Sequence, residues 1–133
     1  MLLHDFHKIL SLNHKGTNIQ ATLELNKEHA IFQGHFPDNP VVPGVCLMTM
    51  IKEVLEQALG TSLTLKEAKS IKFLGVVNPN EQTILQVQCD VVYEESIVKA
   101  TSLIIAGEQV CYKANALYTT SLQVVNSFGS LSS

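Results

Sequence analysis

Residues 45–59 read VCLMTMIKEVLEQAL, and the polar residues Thr49, Lys52, Glu53 and Glu56 recur in it at i, i+3, i+4 and i+7. On an α-helix these four fall in one narrow stripe, and nearly every other position is apolar. A helix this greasy around its circumference has to be wrapped by another element. The second half of the chain offers the wrapper. TILQVQCDVVYE, SIVKATSLIIAG and QVCYKANALYTT alternate in the manner of strands and are joined by the short links EES and AGE. They predict a long-stranded antiparallel meander with hairpin connections.

The remaining segments fill in the pattern. AKSIKFLGVV predicts a short strand, and NPNEQ, with Pro79, predicts a turn. Near the start, loose alternation on either side of NHKG predicts a hairpin over 6–13 and 17–25. The expected class is α+β: one domain over residues 1–120, with long curved strands around one helix. Residues 121–133, SLQVVNSFGSLSS, form a Ser-rich tail expected to fray.

Composition narrows the functions. The chain has 133 residues, 46% hydrophobic and 16% charged, which suits one folded domain. Its formal net charge is -3, and all nine basic residues are Lys, a poor basis for nucleic-acid binding. No apolar run reaches transmembrane length and no basic-then-apolar leader opens the chain, so the expectation is a cytoplasmic protein with no membrane partner. Cys46, Cys89 and Cys111 show no CxxC spacing and lie in apolar runs, where free Cys packs as a small hydrophobe. Cys46 could also be read as a nucleophile beside His35, but its apolar surroundings favour packing. His4 and His7 lack nearby ligands at suitable spacing, so no metal is expected and surface positions are.

Just before the helix stands GHFPDNPVVPG, residues 34–44, which holds three of the four prolines and two of the seven glycines. Pro37, Pro40 and Pro43 each fix a backbone angle and restrict the residue before them. They brace a loop whose one histidine, His35, is thereby pre-positioned. Pro43 suits the first helical turn, and no Ser, Thr, Asp or Asn caps it, so the first N–H groups lack a side-chain partner. Gly44 lets a ligand approach the backbone at the positive end of the helix.

FQGHFPDNPVVPGV, residues 32–45, resembles the active-site loop of the FabZ/FabA-type beta-hydroxyacyl-acyl-carrier-protein dehydratases, and the likeness runs along most of the chain. The resemblance implies a hot-dog fold, an antiparallel sheet of five or six strands wrapped around one central helix. It implies a homodimer with two active sites at the subunit interface. It further implies elimination of water from a 3-hydroxyacyl thioester to the trans-2-enoyl product, in fatty acid biosynthesis or related lipid metabolism. The substrate would be carried by acyl-carrier protein or coenzyme A, and no cofactor is implied.

That chemistry assigns roles. His35 is the base for the C2 proton, because imidazole titrates near working pH. The Gly44 N–H polarises the thioester carbonyl. By resemblance, the carbonyl of Val41 holds one ring nitrogen of His35. Family members carry Glu or Asp five residues after this Gly, where this chain has Thr49. A threonine hydroxyl can hold the leaving water but supplies no carboxylic proton. Either His35 does both proton transfers, or Glu53, one turn past Thr49, substitutes, or the site binds or hydrolyses acyl thioesters instead. An acyl thioesterase and a non-catalytic acyl-binding partner subunit are therefore the alternatives. Phe36, Val41, Pro43, Val45, Leu47, Met48 and Met50 are candidates to line the substrate tunnel. Lys66, Lys69 and Lys72, expected between the helix and the next strand, could receive phosphate or carrier carboxylates.

Overall fold

The computed structural model describes residues 5–32 and 40–120. Its elements are β1 (His7–Lys15), β2 (Asn18–Leu25), a 3-10 turn (Ala30–Phe32), α1 (Gly44–Leu59), β3 (Leu63–Phe73), β4 (Ile84–Glu94), β5 (Ile97–Ala106) and β6 (Gln109–Thr120). The six strands form one antiparallel sheet in the order β1-β2-β4-β5-β6-β3. One helix lies against that sheet, so the fold is the hot-dog architecture, with six strands. The tail at 121–133 lies outside the described residues. No described helix is long and apolar enough to cross a membrane.

The packing follows from the two periodicities. Along β4 the buried residues are Leu85, Val87, Cys89 and Val91, every second position, as a half-covered strand requires. On α1, Cys46, Leu47, Met50, Ile51, Val54 and Leu55 are buried, in two adjacent columns. They meet Ile19, Leu23, Leu85, Val87, Val98 and Ile104 of the sheet in one core. Each large side chain of this set contributes roughly 1.5–3 kcal/mol by leaving water.

β3 departs from both the pattern and the expectation. It begins at Leu63, well before AKSIKFLGVV, and stops at Phe73. Nearly all of it is exposed: it stands at the edge of the sheet and pairs with β6 alone among the described strands. Its register against β6 shifts twice, leaving Lys66 and Lys69 without a paired position. The lysine cluster is thus part of the strand itself. Phe6 precedes β1 and is buried against His29 and Phe32.

Candidate active site at the start of the helix

His35 and Phe36 lie outside the described residues, and the chain is picked up again at Pro40. The approach to the helix is fixed: the Val42 N–H donates to the Val77 carbonyl at 2.9 Å, and Pro40 and Val42 are buried. Pro43 is the N-cap, with φ -62 and ψ 148, and no side chain caps the helix. The Pro43 carbonyl accepts from the N–H groups of Cys46 and Leu47, at 3.0 and 3.3 Å. The N–H groups of Gly44 and Val45 find no acceptor among the described residues. Among the described residues two amides therefore stand without an acceptor at the positive end of a 16-residue helix, where an anion or a carbonyl oxygen is favoured.

Gly44 has a further reason to be glycine. A Cβ there would come within 2.8 Å of the Phe73 ring, which lies against the backbone and also contacts Tyr112 edge-on. Val41 and Pro43 are half-buried beside this helix start.

Thr49 sits five residues on, about 7.5 Å along the axis. Its hydroxyl donates to the Val45 carbonyl at 3.0 Å, so its proton is already committed. It opens onto a cavity of about 140 Å³ shared with Val45, Met48, Lys52, Tyr112 and Tyr118. Val45 and Met48 thus face this space, whereas Leu47 and Met50 are buried in the core behind it.

Glu53 accepts a 2.8 Å bond from Nε2 of His7 on β1. The His7 side chain is 3% exposed, and its Nδ1 is buried without a partner. The surface position expected for His7 is corrected here: Glu53 draws the ring under the sheet, and the carboxylate fixes Nε2 as the protonated nitrogen. Glu56, the next in the stripe, accepts the Leu63 N–H on Oε2 at 2.8 Å, and Lys52 Nζ lies 3.9 Å from the same oxygen. The polar stripe is therefore consumed largely by ties to β1 and β3.

All three cysteines are buried, and burial pushes each thiol up, Cys89 to about 11. Cys46 is a fully covered core residue, not a thiolate poised for attack. Sequence reading missed His7, Phe73 and the two tyrosines as neighbours of this region. For His7 the available signal was the Glu53 carboxylate in the polar stripe of an otherwise greasy helix.

Residues 11–109 match the family model described as ApeI-like, ApeI dehydratase. The 3-hydroxyacyl-[acyl-carrier-protein] dehydratase FabZ of Caldanaerobacter subterraneus subsp. tengcongensis is 35% identical over 115 residues, spanning 78% of each chain. FabZ of Latilactobacillus sakei subsp. sakei is 30% identical over 118 residues, 84% of this chain and 82% of that one. Among solved structures, the dehydratase heterocomplex ApeI:P from Xenorhabdus doucetiae shares the fold with a TM-score of 0.70 at 16% identity, covering 84% of this chain and 96% of that one.

Proposed function

The chain belongs to the FabZ-like, ApeI-like family of hot-dog dehydratases, and from that premise we propose that it removes water from a 3-hydroxyacyl thioester to give the trans-2-enoyl thioester. The observation that carries the reading is the pair of open amides at Gly44 and Val45, directly after the proline-braced segment that holds His35. A thioester oxygen bound there gains two hydrogen bonds and the helix dipole as negative charge develops on it. His35 takes the C2 proton and returns it to the C3 hydroxyl as the C–O bond breaks, so that water leaves and the C2–C3 double bond forms. Thr49, its own proton committed, accepts a hydrogen bond from the hydroxyl that leaves. Glu53 is held by His7 and acts as a structural partner rather than the acid.

The active form is a dimer joined along β3. That strand's outer edge has no pairing partner among the described residues, and Leu65, Phe73, Leu74 and Val76 beside it are exposed although apolar. The thioester is carried by acyl-carrier protein or coenzyme A, with Lys66, Lys69 and Lys72 on β3 as cations for its phosphate or carboxylates.

Thr49 favours a second reading, in which the chain is an acyl-binding or thioesterase subunit. One form of it pairs this chain with an unlike chain that supplies the missing carboxylate, as the solved ApeI:P heterocomplex is a pairing of two chains. One assay separates these readings. Given a 3-hydroxyacyl thioester, a dehydratase produces the enoyl ultraviolet band and loses it in His35→Ala. A thioesterase releases free thiol. A binding subunit does neither alone and gains turnover only when its partner is added.

A further inference from the structure

The cavity beside Thr49 carries one charge that the proposed mechanism does not use. Its walls are mostly apolar: Val45 and Met48 from α1, Leu65 and Ile71 from β3, Ala116 from β6. Lys52 is the one charged residue among those that line it. Val45, Thr49 and Lys52 succeed one another along α1, so the cavity follows the helix from its first turn toward Lys52, roughly 10 Å along the axis.

Lys52 is held there loosely. Its Nζ lies 3.9 Å from Oε2 of Glu56, and that oxygen already accepts the Leu63 N–H at 2.8 Å. No other carboxylate pairs with Lys52 among the described residues. Glu56 lines a separate pocket with Glu53, Gln57 and Gly60 and is no part of this cavity's wall. The Lys52 side chain is 42% exposed, so its ammonium can reorient on a flexible stem. A hydrocarbon end pressed against that ammonium would strip its water and return no bond. A carboxylate in the same place would accept a charge-assisted hydrogen bond, between apolar walls that strengthen the attraction.

We propose that the chain takes acyl groups with an anionic far end, the monothioesters of short dicarboxylic acids, and that Lys52 selects them. The thioester oxygen lies on the Gly44 and Val45 amides and the distal carboxylate on the Lys52 ammonium. The inference rests on the thioester-binding reading above and names the acyl class that reading leaves open.

The probes are two pairs of pantetheine amides, which have no thioester to cleave: hexanoate against hexanedioate, and octanoate against octanedioate, each diacid with one carboxylate free. Calorimetry on the purified protein is expected to show the carboxylate probe of at least one pair binding roughly tenfold tighter than its methyl-ended counterpart, the ratio that one hydrogen bond to a charged group supplies. In Lys52→Met that preference falls to within twofold or reverses, while affinity for the methyl-ended probes is kept or rises. Lys52→Arg retains the preference. A wild-type protein that binds the methyl-ended probes as tightly as both carboxylate probes, or a preference that survives in Lys52→Met, overturns the proposal and leaves the thioester reading standing. A protein that binds none of the four overturns both. Enoyl formation is followed separately: a protein that prefers the carboxylate probes and forms no enoyl product keeps the Lys52 assignment and loses the dehydratase one.

Discussion

The two ends of α1 are finished differently. At the C-terminal end Gly60 adopts φ 71, and its N–H returns to the Glu56 carbonyl. The Glu56 side chain accepts from the Leu63 N–H, and His14 brings Nδ1 to 3.3 Å from the Ala58 carbonyl. At the N-terminal end Pro43 offers no cap, and the Gly44 and Val45 amides find no acceptor among the described residues. A stable helix gains from closing both ends. Leaving one open forgoes about 1 kcal/mol of capping, and in sequence that end follows the Pro-rich segment that carries His35. The difference separates a part of the helix that serves stability from a part that, under the proposed function, serves binding.

Substitutions sharpen this contrast. Replacing Gly44 by Pro removes one amide yet keeps a residue that a first turn tolerates. In a Phe73→Ala background, which clears the ring 2.8 Å from a Cβ there, Gly44→Pro is expected to lower enoyl turnover about 100-fold or more with little change in melting temperature. Unchanged turnover would break the comparison.

In the middle of the helix, Glu53→Ala strands the buried His7 ring. The expected loss is about 2 kcal/mol of unfolding free energy by urea titration, with turnover per folded molecule preserved. A selective loss of turnover would instead make Glu53 the acid.

At the closed end, Gly60→Ala puts a Cβ into a left-handed backbone position and is expected to cost about 1 kcal/mol, read as a fall of a few degrees in Tm. Turnover should not move. Smallest is His14→Ala, whose exposed ring also reaches the Gly16 carbonyl at 3.1 Å. About 0.5 kcal/mol is expected from the loss of its contacts with the helix-terminal Ala58 carbonyl and the Gly16 carbonyl of the β1–β2 turn, again without effect on turnover.

These distinctions were unevenly legible in the sequence. α1 and the strands β4 to β6 follow directly from periodicity, because each buries one face against a single core. The missing cap was equally readable, since capping depends on the identity of one or two neighbouring residues. The first half of β3 was not, because Leu63–Phe73 is exposed along almost its whole length and leaves no alternation to read. The His7–Glu53 pair joins positions 46 apart and exists only once β1 crosses the helix. Tyr112 and Tyr118 read as ordinary inward strand residues; that they wall the cavity beside Thr49 depends on the helix side chains opposite. The stripe Thr49–Lys52–Glu53–Glu56 was visible as a pattern, but its division between a cavity wall and two structural ties follows from the strands around it.

The open end of α1 can be observed directly by following the backbone amides in a proton–nitrogen NMR spectrum while a non-reactive acyl-pantetheine analogue is added. The Gly44 and Val45 amide protons are expected to move downfield together as the analogue's carbonyl oxygen binds, with the Gly60 amide stationary. Saturable binding that leaves Gly44 and Val45 unmoved while other residues shift would contradict the account.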